Sequence, residues 1–170
     1  MKMHTFPLPQ VVILLTEKTY GLDWVFVVGS SSGSSNDYRS TELMNTSSLK
    51  WETKKQYPYK TWIYAARSLF YRDQFITFGG VPSRNRIAAY NPKTDDWSTL
   101  GAMKRKRSYT SVIQIEDEFL IVGGYHIDGS SSSNSGRSER CRFKGAKIKC
   151  QLQSPSMPAG GNYKLKTYSI

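Results

Sequence analysis

Histidine occurs twice in these 170 residues and cysteine twice, and no apolar run is longer than the five residues of Val11 to Leu15. Each scarcity closes a class of function. His4 lies in a terminal tail and His126 in a segment expected to be a flexible loop, so imidazoles with ligand spacing cannot be gathered and no metal or other cofactor is expected. A run that short cannot cross a bilayer, and no membrane span is expected. A secretory leader is poorly supported, since Pro7 and Pro9 break the apolar run behind Lys2 and no small-residue cleavage site follows; that fits a cytosolic protein or a chain whose true N-terminus is missing. No stretch has helical periodicity. The glycine pairs end strands and open no helix, so there is no phosphate-cradling loop. The carboxylates Asp95-Asp96 and Glu116-Asp117-Glu118 sit in turn positions, where they solvate and stabilise turns. Catalytic residues are therefore not expected, and neither is an enzyme.

What is present is a repeat. Three times a short apolar run ends on glycine: Val25 to Val28 before Gly29-Ser30, Phe75 to Phe78 before Gly79-Gly80, and Phe119 to Val122 before Gly123-Gly124. The spacings are 50 and 44 residues, a range in which the repeating unit is one small sheet. Trp62 to Phe70, Phe75 to Phe78, Ile87 to Tyr90 and Ser108 to Ile115 are short, rich in β-branched and aromatic residues and bounded by turn formers, so they read as strands. Tyr71 to Gln74 and Glu116 to Glu118 are polar interruptions that should cap hairpins between the first and second strand of a unit. Glycine closing the second strand permits positive φ and close backbone approach.

The downstream half of each copy identifies the unit. Tyr90 and Trp97 stand with six residues between them around an Asn91-Pro92 turn signal, and Met44 and Trp51 keep that spacing, with Glu42 two residues ahead. An apolar strand ending in Gly-Gly, then Tyr, six residues and Trp, resembles the kelch repeat, and the resemblance runs from Val11 to Met157. It implies an all-β fold: a partial, open kelch-type β-propeller of about three four-stranded antiparallel blades plus the start of a fourth. The chain then forms a single domain with blades at about 11–57, 58–103 and 104–157, and with 158–170 opening a further blade or a tail. The motif residues are Gly29, Met44, Trp51, Gly79, Gly80, Tyr90, Trp97, Gly123 and Gly124. The spacing places the two rings on neighbouring strands, where they pack as core and do not form a ligand box.

The third copy departs from the pattern. Glu139 is followed two residues later by Cys141, Cys150 stands where tryptophan is expected, and the turn is two residues longer. If the cysteines take the places of the two rings, the resemblance puts them across from each other on neighbouring strands, within disulfide reach. A bridge would suggest an oxidising compartment; the alternative is two buried free thiols in a cytosolic propeller. Asn45-Thr46-Ser47 is an N-glycosylation acceptor that points the same way. Extracellular localisation is expected if the cysteines are bonded, cytoplasmic if they are not.

Two serine-rich tracts, Gly29 to Ser35 and Gly129 to Gly136, follow the second strand in their copies and read as long mobile loops. In kelch proteins such loops project from one face and help form a partner-binding surface, which makes Tyr38, Tyr125 and His126 the candidate contacts; the alternative is insertion at a harmless place. The function implied is a protein–protein interaction module, with a structural or extracellular segment of a longer propeller as the second reading. The chain holds 24 Lys and Arg against 13 Asp and Glu, a net charge of +11, densest at Lys104-Arg105-Lys106-Arg107. By register that run is a solvated loop between the second and third blades. The other cations are scattered and no aromatic-interleaved groove is visible, so acidic partners are expected and specific nucleic acid is not. A closed propeller needs at least four blades, so self-association or further repeats should cover the uncovered faces.

Overall fold

The computed structural model describes residues 12–15, 24–29, 39–59, 63–81, 85–128, 131–134, 136–154 and 156. Tyr38, most of the first serine tract and the strand expected near the C-terminus lie outside them. Fifteen strands are present and no α-helix occurs among the described residues. The first sheet runs β1 (Val12–Leu15), β2 (Trp24–Val28), β3 (Thr41–Asn45) and β4 (Lys50–Lys54), each antiparallel to the next. The second blade repeats the meander with β5 (Tyr64–Tyr71), β6 (Gln74–Val81), β7 (Arg86–Asn91) and β8 (Asp96–Ala102). In the third blade β9 (Arg107–Ser108) precedes β10 (Ser111–Ile115) and β11 (Glu118–Val122), and the blade closes with β14 (Glu139–Lys144) and β15 (Lys147–Leu152).

The polar interruptions cap the first hairpin of blades two and three, at Tyr71 to Gln74 and Ile115 to Glu118. The second hairpins of blades one and two share a side-chain device. Asn45 Oδ1 accepts from the Ser47 and Ser48 amides, and Asn91 Oδ1 accepts from the Lys93 amide, Asx turns that replace backbone pairing at the bend. In blade three the longer spacing is absorbed by pairing that runs on past the cysteines to Lys144 opposite Lys147, and the turn itself is only Gly145-Ala146. One backbone bond recurs in all three units, from Tyr57 N to Arg39 O, from Met103 N to Asn85 O and from Gln153 N to Ser138 O.

The glycines that close each second strand have positive φ: Gly29, Gly79, Gly80, Gly123 and Gly124. Two of them also admit a neighbouring chain, for a Cβ on Gly29 would sit 2.0 Å from the Ile63 carbonyl oxygen and one on Gly124 2.8 Å from that of Ser108. Blades pack face to face. Phe26, Val28 and Leu43 of blade one meet Ala66, Phe75, Ala88 and Tyr90 of blade two; Ile76, Phe78, Ala89 and Leu100 of blade two meet Phe119, Ile121, Cys141, Ile148 and Cys150 of blade three. At the rim β15 touches β8 in parallel, Ile148 opposite Gly101. Gly101 has no room for a side chain, since a Cβ would lie 2.3 Å from the Ile148 carbonyl oxygen.

Three expectations need correction. Ser108 to Ile115 is not one strand, because Tyr109 at φ 54° divides β9 from β10. The second serine tract is not a plain loop, because β13 (Ser131–Asn134) pairs with β12 (Tyr125–Asp128), which in turn pairs with β9. Trp51 is not core: it stands opposite Met44 as the repeat requires, yet 53% of its surface is exposed. It points to the side away from blade two, where no described blade lies.

Candidate interaction surface

Of the basic run, only the last residue departs from the expected solvated loop, and it departs completely. Arg107 is fully buried. Its Nε and Nη2 donate to Glu139 Oε1 at 3.2 and 2.8 Å, and its Nη1 donates to the carbonyls of Gly123 at 2.9 Å and Arg137 at 2.6 Å. The Glu139 carboxylate also accepts the backbone amides of Lys104 at 2.6 Å and Arg105 at 3.0 Å. Burial pushes the Arg107 pKa down, against the pull of Glu139. A planar guanidinium suits this task because its fixed fork of donors serves several acceptors at once.

Gly123 lies two residues before β12 and Arg137 three residues after β13, so one side chain ties together both ends of the insertion. The ribbon is held a second time at its base, where β12 pairs Tyr125 with Ser108 and His126 with Arg107, and where His126 Nδ1 bonds the Lys106 carbonyl at 2.8 Å. His126 is thus a buried anchor and not an exposed contact; Tyr125 is half-buried beside it. In the order β13-β12-β9 the serine strand is an edge among the described strands.

Cys141 and Cys150 stand opposite one another and are disulfide-bonded. They and Glu139 form a cluster within 4.8 Å, but the sulfurs are spent on each other and the carboxylate on its four N–H donors.

Blades one and two are stapled differently. Trp97 Nε1 donates to the Lys55 carbonyl at 3.0 Å and to Thr41 Oγ1 at 3.3 Å, while Asp95 Oδ1 accepts the Lys55 amide at 2.9 Å and the Tyr90 hydroxyl at 2.7 Å. The Lys55 amide, with Tyr90 behind it, holds the Asp95 carboxyl below the usual range, and burial with the Asp95 contact pushes the Tyr90 phenol up. Asp95 therefore joins two blades and does more than stabilise its turn. The Trp97 ring lies 5.0 Å from that of Tyr57, 5.3 Å from Tyr90 and 6.1 Å from Phe26, the core role expected of the Tyr–Trp pair.

Arg107, Glu139 and Gly101 went unrecognised in the sequence. The signal available for the first two was a lone acid two positions before the ring position in copies one and three, at Glu42 and Glu139, with an arginine ending the linker before copy three. No helix is long and apolar enough to cross a membrane among the described residues.

No family model matches the chain. Kelch-like protein 41a of Danio rerio is 27% identical over 111 residues, which are 63% of this chain and 18% of that protein. The solved structure of YjhT superposes with a TM-score of 0.65 at 14% identity, covering 89% of this chain and 53% of that one. The chain thus spans under a fifth of the curated relative and about half of the structural neighbour. At that identity the neighbour bears on the fold alone. The fold is a partial kelch-type β-propeller, and the resemblance to the kelch-repeat family stands on the motif and the relative.

Proposed function

We propose that this chain is a protein-interaction module whose partner engages the β12–β13 ribbon. The observation that carries the reading is the clamp. Three side-chain bonds at the neck, from Arg107 and His126, together with the backbone pairing of β12 to β9, hold the β12–β13 insertion in place. An ordered edge strand offers backbone donors and acceptors in a row, which an extended partner segment can pair by strand addition. The role is binding and not catalysis, and the partner is a protein, not a nucleic-acid sequence.

Affinity capture compared between the parent and a variant with residues 129–135 replaced by a short turn tests it. Partners held by the parent should be lost by the variant while both melt alike. Retention of the same proteins would overturn the reading.

A second reading, a structural segment of a longer and extracellular propeller with Asn45 glycosylated, is favoured by the Cys141–Cys150 bond and by the uncovered Trp51 ring. Peptide mapping of native material for a glycan on Asn45 discriminates it.

A further inference from the structure

The repeat allows equivalent positions to be compared on successive blades. The face that each blade turns to the next is lined by Phe26, Val28 and Leu43 in blade one and by Ile76, Phe78 and Ala89 in blade two, all buried. On blade three the same positions are Leu120, Val122 and Arg140, and no described blade follows. The inner strands of this face remain apolar, with Leu120 and Val122 half-buried and Ile113 and Ile115 exposed by 43% and 46%. Its outer strands are basic. Lys104, Arg140, Arg142, Lys144 and Lys149 line a concavity of about 480 Å³ against Glu118, and that acid is already shared between Arg140 at 3.1 Å and Arg142 at 3.9 Å.

The register makes this arrangement costly in the free protein. Arg142 stands directly opposite Lys149, and Lys144 opposite Lys147, two successive like-charged cross-strand pairs that weaken the hairpin carrying them. Covering them with an apolar blade would strip their water without compensation. The occupant must therefore bring carboxylates. Residues 157–170 do not supply them, for they contain Lys164 and Lys166 and no acid. A second copy would offer the outward side of blade one, where the alternation that buries Leu43 leaves Glu42, Met44, Trp51 and Thr53, one carboxylate for five cations. A simple polyanion would leave the isoleucine strip unused.

We propose that this face of blade three, a surface distinct from the ribbon, docks an acidic polypeptide whose apolar residues cover Ile113, Ile115 and Leu120 and whose carboxylates meet the cations of β14 and β15. The geometry calls for acids and apolar side chains on one face, as alternation along a strand supplies.

The test uses three probes on the full chain: a synthetic peptide of about a dozen residues alternating glutamate and valine, the same peptide with serine for valine, and heparin. Lys144→Glu with Lys149→Glu converts both repulsive pairs into attractive ones and leaves the Lys147 bond to the Thr99 carbonyl in place. The double variant should melt above the parent yet bind the Glu/Val peptide roughly tenfold more weakly, with the parent's binding declining as salt rises. Ile113→Ser with Ile115→Ser should weaken the Glu/Val peptide and leave the Glu/Ser peptide unchanged. Opposite movement of stability and binding is what a purely structural role would not produce. Equal binding of all three probes with the isoleucines irrelevant would overturn the proposal in favour of a generic polyanion patch, and a charge-reversed variant that binds like the parent would overturn it outright.

Discussion

Replacing Glu139 with alanine removes the acceptor of four hydrogen bonds at once and leaves the fully buried Arg107 guanidinium without its carboxylate. Breaking a buried ion pair from one side costs about 3 to 5 kcal/mol, because the survivor stays charged and unsolvated. The Lys104 and Arg105 amides, also orphaned, lie on residues that reach water and add little. Arg107→Ala should be milder, near the lower end of that range, since Glu139 would keep both amides. For a chain of this size each kcal/mol is worth roughly 2 to 4 °C, so Glu139→Ala should melt about 6 to 20 °C below the parent. Arg107→Met combined with Glu139→Leu should recover part of the loss, as apolar replacements of buried pairs do. Neutralising Lys104, Arg105 and Lys106 together should move stability by no more than about 0.5 kcal/mol. Urea titration of the four variants supplies the free energies, and amide exchange supplies an independent readout: Arg107→Ala should accelerate exchange along Tyr125 to Asp128 by loosening the ribbon's neck. If Arg107→Ala proves costlier than Glu139→Ala, or if Glu139→Ala melts with the parent, Glu139 is not the acceptor that holds this neck together.

The two motif tryptophans should separate cleanly in thermal unfolding, Trp97→Ala costing about 3 kcal/mol as a packed ring does and Trp51→Ala less than about 0.5. Non-reducing peptide mapping should return Cys141 and Cys150 as one linked pair, and reduction should lower stability by about 2.5 kcal/mol for a separation of 9 residues; alkylation of both in native material would refute it. Stability against pH should show a plateau with two identifiable edges. Asp95, depressed in the fold, stabilises above its ordinary value of 3.8 and loses that contribution as acid titrates it; Tyr90, raised in the fold, contributes fully below its ordinary 10.0 and loses it as alkali ionises the phenol. Asp95→Asn should flatten the acid edge, and an unchanged acid limb would remove Asp95 from the account.

The blades were legible because the repeat writes its own register. A glycine closing the second strand and a fixed pair of positions downstream of it mark, in each unit, where a strand ends and which residues face each other, and the structure pairs Tyr90 with Trp97, Met44 with Trp51 and Cys141 with Cys150 accordingly. What stayed hidden depends on partners remote in the chain. Arg107 reads as one of four like charges until β14 brings Glu139 beneath it. The serine tract reads as flexible because its composition cannot drive collapse; it is ordered by backbone pairing to β12, which composition does not report. Gly101 is an ordinary small residue until β15 crosses it.

Trp51 and the cysteines show that a motif position is only as buried as its neighbour makes it. Met44–Trp51, Tyr90–Trp97 and Cys141–Cys150 occupy the same place on three blades, on the face turned toward the preceding blade. For Tyr90 and Trp97 that face is filled by Phe26, 5.7 Å from Tyr90 and 6.1 Å from Trp97. For Cys141 and Cys150 it is filled by blade two, and the volume surrendered by two missing rings is taken up by an aromatic cluster one step along the strand, Phe143 packing 5.9 Å from Tyr71 and 6.1 Å from Phe119, with the Arg72 guanidinium 5.0 Å above it. Tyr71 and Arg72 belong to the first hairpin of blade two, and both reach Asp117 in the corresponding hairpin of blade three. Blade three therefore exchanges a ring contact for a covalent bond without giving up its hold on blade two. Blade one keeps the tryptophan and has nothing described to set against it, so its ring remains in solvent, the mirror of the uncovered Ile113 and Ile115 at the other end of the arc.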